Sequence, residues 1–265
     1  MKKRSIVLTL SVVFVLTGAL LLSGCKSKAL KIGASSVPHA EILEFAEPLL
    51  EKEGIAIKII EFSDYVQPNL QLADGQLDAN FFQHIPYLEG FASERKLDIT
   101  WVAKVHIEPM GIYSKQVSSL SDLEDGAEVG IPNDDTNCGR ALVLLEKAGL
   151  LKLKEGVGIS ATVHDVTGNP KNLNFYELDA AMLPRSLEDF GIAVINGNFA
   201  LQAGLSPTGD SLFLEESDSP FANVIAVRNE DKENSAIQKL INILTGPEVK
   251  EFIEDNYKGG VIPAF

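Results

Sequence analysis

From residue 30 onward, apolar positions along the chain switch repeatedly between a strand pattern and a helical one. Leu30 to Ala34 is a short apolar run and reads as a strand. Between Pro38 and Glu53, residues Ile42, Leu43, Ala46, Leu49 and Leu50 recur at the spacing of one helical face, which predicts a helix with one side buried. Pro38 suits the first turn of that helix and Gly54 ends it. Ile55 to Phe62 is β-branched with little polar interruption, as in a strand covered on both faces. The same reading predicts a short helix at Val66 to Gly75, a strand at Asp78 to Phe82 and a helix at Ile85 to Lys96. Strands follow at Thr100 to Val105 and Met110 to Tyr113.

A second block opens at Ser121-Asp122-Leu123-Glu124, which has the form of a capping box. It continues with a strand at Glu128 to Ile131 and an apolar helix at Thr136 to Ala148, closed by Gly149. Further strands are expected at Asn174 to Leu178 and Ile192 to Ile195, with a helix at Leu183 to Asp189. An extended stretch, Phe221 to Arg228, precedes two helices at Ser235 to Leu244 and Pro247 to Tyr257. Two such blocks with short crossovers imply an α/β protein of two doubly wound lobes. Ligands of such sheets sit at the carboxyl ends of the strands, so two facing lobes make a cleft. Periodicity alone does not separate this arrangement from one large α/β enzyme domain.

The first residues follow a different pattern. Lys2, Lys3 and Arg4 precede an almost unbroken apolar run of seventeen residues, Ile6 to Leu22, which has the form of a secretory signal. A membrane-spanning helix needs ~20 apolar residues. The run ends in Leu22-Ser23-Gly24-Cys25, which resembles the bacterial lipobox, whose cysteine is acylated and becomes the mature N-terminus. Residues 1–24 are therefore expected to be a lipoprotein signal and 25–29 a lipidated tether. Losing the three basic residues of the leader takes the net charge from −14 to −17. So acidic a body is repelled by nucleic acid and by anionic head groups, which excludes a nucleic-acid partner and leaves the lipid to hold the protein at a membrane. The only other cysteine, Cys138, cannot pair with a lipidated Cys25, so the exported chain relies on its core rather than a disulfide.

Enzyme signatures are missing: there is no G-x-S-x-G elbow, P-loop, H-E-x-x-H or dinucleotide fingerprint. No catalytic residue and no cofactor is assigned. The four histidines, His39, His84, His106 and His164, are far apart in sequence, and no metal site is expected, although distant histidines can meet in space. Four polar-aromatic segments stand out where an α/β fold places loops. They are Phe62-Ser63-Asp64-Tyr65-Val66-Gln67-Pro68-Asn69, Asp78 to Leu88 with Phe82-Gln83-His84 at its centre, Ile131 to Arg140 with Asn137-Cys138-Gly139-Arg140 at its end, and Ala193 to Ala200 around Asn196-Gly197-Asn198. Read alone, each candidate has a plainer role: Arg140 as a surface residue, Asn196 in a turn, Tyr65 and Phe82 in a core, His84 as a helix cap.

These segments resemble the signature stretches of the methionine-binding lipoproteins of ABC importers, the NlpA/MetQ-type family. So do Glu177-Leu178 through Leu183-Pro184-Arg185, Ser219-Pro220-Phe221-Ala222-Asn223 and Tyr257-Lys258-Gly259-Gly260. The resemblance runs in order over nearly the whole mature chain. It implies a two-lobed periplasmic-binding-protein fold of the second class, with crossings near Pro109 to Tyr113 and near Pro220 to Asn223 serving as a hinge. Residues 30–110 and 224–265 would form one lobe and 111–223 the other. It also implies a non-enzymatic receptor for L-methionine, or else D-methionine or a methionine-containing dipeptide. The ligand would pass to an ABC permease and its cytoplasmic ATPase from an extracytoplasmic lipoprotein, in the periplasm or at the cell surface. A surface interaction lipoprotein of the adhesin class is the alternative from another functional class.

By the same resemblance, Arg140 would grip the α-carboxylate with its guanidinium fork, and Asn137 would add a hydrogen bond at the helix start. Asn196 and Asn223 would fix the ammonium and carboxylate. Tyr65, Phe82 and His84 would wall the thioether, since sulfur packs well against ring edges. A cleft arginine of this kind is expected to contribute little to either lobe's core. Cys138 departs from the family, which more often carries an aliphatic residue there, and is expected to be a small buried thiol.

Overall fold

The computed structural model describes residues 29–217 and 220–265. The signal segment, Cys25, the tether as far as Lys28, and Ser219 lie outside the described residues. In chain order, strands β1 (Leu30–Ala34), β2 (Ile57–Glu61), β3 (Ala79–His84) and β4 (Ile99–Ile107) alternate with helices α1 (Glu41–Lys52), α2 (Gln67–Ala73) and α3 (Ile85–Arg95). The middle of the chain forms β5 (Gly111–Tyr113), β6 (Glu128–Pro132), α4 (Asp135–Lys147), the short pair β7 (Lys152–Leu153) and β8 (Val166–Gly168), β9 (Asn174–Leu178) and β10 (Ile192–Ile195). Short helices α5 (Gly197–Gln202) and α6 (Pro207–Asp210) and strand β11 (Phe213–Leu214) follow. The chain ends with β12 (Ala222–Arg228), α7 (Ser235–Leu244), α8 (Pro247–Tyr257) and β13 (Ile262–Pro263).

The strands form two main sheets, ordered β13-β4-β12-β3-β1-β2 and β11-β5-β10-β6-β9. In the first, β2, β1 and β3 run parallel, and β12 is antiparallel to both β3 and β4. In the second, β9, β6 and β10 run parallel and β5 is antiparallel to β10. Each lobe thus has a doubly wound parallel centre finished by antiparallel strands, a mixed pattern that the sequence reading did not foresee. Strand β12 starts at Ala222 inside the first sheet, two residues before the expected lobe boundary at 224. The chain passes between sheets through residues 108–110 and again through the stretch between Leu214 and Ala222.

Both sheets are covered on both faces, which explains the near-continuous apolar strands. Side chains alternate along β12: Val224 and Ala226 enter one core, with Leu72, Leu77 and Leu88, while Ile225 and Val227 enter another, with Ile42, Leu50, Leu240 and Ile253. In β10, Ile192 and Val194 pack with Leu142 and Leu145 of α4, and Ala193 and Ile195 pack with Leu183, Phe190 and Phe199. Among these groups sits Cys138, buried as expected, its thiol pushed up to about 12 by burial and by surrounding carboxylates and so chemically quiet.

Three local expectations are corrected. No helix forms at Leu183 to Asp189; residues 180–189 make successive turns. The Asp179 carboxylate accepts from the Ala181 N–H at 2.9 Å, and Pro184 both lacks an N–H and disfavours helical geometry at Leu183. The apolar spacing there still serves a core, since Leu183, Leu187 and Phe190 are buried. Ser121 is not a capping-box residue: Ser119 caps a single short turn, Leu120–Asp122. Helix α1 starts at Glu41, after a wider turn from Ser36 to Ala40 that contains Pro38.

Strand order places the cleft. From β1 the chain winds to β2 on one side and then to β3 on the other, so the loops after β1 and β3 diverge and leave a crevice. The second sheet repeats this at β6, with β9 on one side and β10 on the other. The two crevices face each other.

Candidate functional site

A narrow cavity lies at this junction, enclosing about 320 Å³ when the space open to solvent at its mouth is counted. Tyr65, Phe82, His84, Asn137, Arg140, Asn196 and Asn223 all line it, and Gln83, Tyr87, Glu108, Gly197 and Asn198 join them. Every contributing segment follows or ends a strand. Tyr65 lies between β2 and α2; Phe82 and His84 end β3; Glu108 follows β4; Asn137 and Arg140 stand in the first turns of α4 after β6; Asn196 and Asn198 follow β10. Asn223 pairs in register with both His84 and His106, which brings the ends of β12, β3 and β4 together.

Polar geometry fixes most side-chain orientations. Asp134 caps α4, accepting from the Asn137 N–H at 3.0 Å and from the Asn137 Nδ2 at 3.0 Å. A carboxylate only accepts, so Asn137 must turn its Oδ1 the other way, toward Asn196 Nδ2 at 2.8 Å and His84 Nε2 at 3.1 Å. His84 Nδ1 accepts from the Tyr87 N–H at 3.2 Å, so its proton sits on Nε2. Burial, with the Arg140 charge adding to it, lowers the His84 pKa to about 3, and the ring stays neutral. The amide of Asn137 is thus fully used within the chain. The sequence reading expected Asn137 to add a hydrogen bond to the ligand, and it does line the cavity. The group it leaves free is the Asn196 Oδ1, which is buried and has no hydrogen-bond partner among the described residues.

Across the cleft, the Tyr65 hydroxyl donates to Asn198 Oδ1 at 2.6 Å, and its ring lies 4.9 Å from that of Phe199. With the His84–Asn137 bond, these contacts join the two lobes. Tyr65, Phe82 and Tyr87 form one aromatic wall, their ring centroids 5.6 to 6.3 Å apart.

Arg140 differs most from its expected geometry. Its Nε donates to Glu215 Oε1 at 3.0 Å and its Nη2 to Glu215 Oε2, so the fork expected to hold a ligand is held by a side chain of this protein. The Nη2 also donates to the Glu108 carbonyl at 2.9 Å, and the guanidinium carbon lies 4.1 Å from the centre of the Phe221 ring. Arg140 therefore ties α4 to both segments that connect the sheets. Its Nη1 makes no hydrogen bond among the described residues.

Sequence reasoning missed Glu108. It is buried, with Oε1 2.6 Å from His106 Nε2 and 3.2 Å from His39 Nε2. The fold brings the rings of His39 and His106 to 4.9 Å, although 67 residues separate them in sequence. The three residues offer ligand atoms close enough to hold a metal ion. The signal that could have found Glu108 is its place as the one charged residue between two buried strands, two positions after His106.

Comparison with known proteins bears on what such a cleft is for. The family model of the NlpA lipoproteins matches residues 30–265. The chain belongs to the NlpA lipoprotein family. The D-methionine-binding lipoprotein MetQ of Escherichia coli K12 is 40% identical over 262 residues, covering 96% of this chain and 97% of the relative. The membrane lipoprotein TpN32 of Treponema pallidum is 40% identical over 240 residues, covering 90% of each. A nutrient-binding protein of Burkholderia cenocepacia, solved bound to methionine, superimposes with a TM-score of 0.87 at 47% identity, covering 89% of this chain and 100% of that one. As a member of this family the chain is a two-lobed substrate-binding protein and not an enzyme.

Proposed function

We propose that this protein captures free L-methionine in the cleft between its lobes and delivers it to an ABC permease powered by a cytoplasmic ATPase. One observation carries the reading most: the cavity is lined both by polar side chains, Arg140, Asn196, Asn198 and Asn223, and by an aromatic wall, Tyr65, Phe82 and Tyr87. A zwitterion with an apolar thioether tail calls for both kinds of surface, and sulfur against ring edges is a favourable contact. The methionine-bound relative and the relatives named for methionine support the same choice.

Residues 30–110 and 222–265 act as one closing body and 111–221 as the other, with the connecting segments as hinges. Cys25 carries the lipid anchor on the extracytoplasmic side. Radiolabelled palmitate should enter the wild-type protein, and a wild type that takes up no label contradicts the lipid anchor. D-methionine is the second reading, favoured by the names of the curated relatives.

Mass spectrometry of small molecules released on denaturing the purified protein tests the ligand. Methionine is the expected species, and chiral analysis assigns the isomer. A different stoichiometric molecule would replace this reading. Selectivity should follow the apolar wall: L-alanine lacks three groups beyond Cβ, each worth ~0.8 kcal/mol when buried, and should bind about 50-fold more weakly than L-methionine. Affinities within threefold would leave a general amino-acid site and remove the thioether pocket.

A further inference from the structure

Charges around the cavity do not balance within the chain. Arg140 is matched by Glu215, and Asp134 is engaged by the first turn of α4. Glu108 has no such partner: among the described residues no lysine or arginine forms an ion pair with its carboxylate, and Arg140 reaches only its backbone carbonyl. Its neighbours are two histidines, both fully buried, and the backbone of Asn198, which hydrogen-bonds to it. Because a carboxylate only accepts, His106 Nε2 must carry the proton that points at it; His39 Nε2 donates to Asn223 Oδ1 at 3.1 Å and lies 3.2 Å from the carboxylate. His39 Nδ1 is then an acceptor for the Ser35 hydroxyl at 2.6 Å, so both rings are neutral donors. Burial holds the pKa of each far below the ordinary value, His39 at about 4 and His106 at about 3, which keeps them neutral. The carboxyl group is therefore fixed in place and buried with no cationic side chain paired to it among the described residues; burial raises its pKa, which a cation beside it would oppose, and it lines the cavity. Buried charges are ordinarily paired, so this arrangement calls for a cation from outside the chain.

A metal ion is one such cation, but the second ring nitrogen of His106 argues against it. A metal-bound histidine donates its other N–H to an acceptor. Here His106 Nδ1 is buried without a hydrogen-bond partner among the described residues, which is cheaper for a bare acceptor than for an N–H. An ammonium group fits better, because the buried Asn196 Oδ1 lines the same cavity as a second acceptor without a partner. Resting on the proposed amino-acid function, we propose that Glu108, held by His106 beside His39, is the counter-ion for the ligand's α-ammonium and makes a free amino group a condition for binding.

The test compares L-methionine with 4-(methylthio)butanoate, which keeps the carboxylate and thioether and replaces the ammonium by hydrogen, so it cannot be excluded by size. Calorimetry on ligand-free wild-type protein should show the desamino acid binding at least about 30-fold more weakly, the lower range for removing one partner of a buried charge pair. Glu108→Gln should weaken L-methionine by a similar factor while sparing the desamino acid, bringing the two within about threefold of each other. The wild-type comparison needs no variant, so the proposal stays testable even if Glu108→Gln does not fold. Equal binding of the two acids by the wild type would overturn it, as would an unchanged ratio in folded Glu108→Gln. Stoichiometric divalent metal in the purified protein would overturn it as well, because the carboxylate would then be a metal ligand. A wild type that binds neither acid refutes the amino-acid function itself, and this inference with it.

Discussion

Arg140→Ala is expected to weaken L-methionine binding by roughly thirty- to several-thousand-fold, or ~2–5 kcal/mol. The substitution removes the one lysine or arginine that lines the cavity among the described residues. It also strips Glu215, a carboxylate 10% exposed, of its partner, so that a bare negative charge faces the ligand's own. For the same reason the protein should lose stability, since removing one member of a buried ion pair typically costs ~3–5 kcal/mol. That outcome departs from the sequence-based expectation that such an arginine matters little to the fold, and the cause is its hold on Glu108, Glu215 and Phe221. Adding Glu215→Gln to Arg140→Ala should restore much of the stability, because no buried charge is then left alone, yet leave affinity low. Arg140→Lys should recover only part of either loss, as an ammonium cannot reproduce the planar fork. Titration with circular dichroism as the folding control separates these effects. Wild-type affinity in folded Arg140→Ala protein would remove Arg140 from the site.

Gly139→Ala should lower stability by ~3 kcal/mol, at the upper end of the range for overpacking. A Cβ at Gly139 would lie 2.0 Å from the Ile159 carbonyl oxygen and 2.6 Å from its carbon. The obstacle is backbone, in the short turn Gly158–Ser160, so no rotamer change relieves it. Either the turn leaves α4 or the helix moves, and Asn137 and Arg140 move with it. Thermal unfolding should show a Tm lower by roughly 6–12 °C for a protein of this size. The sign is informative, because alanine in a helix is otherwise favoured over glycine by ~1 kcal/mol. An unchanged or raised Tm would mean that the turn does not pack on the helix as drawn.

Much of this architecture was legible along the chain, and the exceptions have local causes. Helices α7 and α8 and strands β9 and β10 lie where periodicity placed them, because each buries a regular face. The two-residue edge strands β11 and β13 are too short to carry a period. At Leu183 to Asp189 a genuine apolar repeat is served by turns, because Pro184 vetoes the helix that the repeat suggests. For the cleft, the polar-aromatic segments led to residues that share one cavity, since loops after parallel strands converge at a switch point. What the chain did not display was the internal partnership of those residues. Arg140 and Glu215 are 75 positions apart, and His39 and Glu108 are 69 apart; only the folded sheets make them neighbours.

The central claim, that this cleft is a methionine receptor, is tested most directly by calorimetric titration of refolded, ligand-free protein with L-methionine. One saturable site per chain is expected, with a matching rise in Tm as ligand is added. A folded, ligand-free protein that shows neither heat nor a Tm shift at millimolar L- or D-methionine would contradict it.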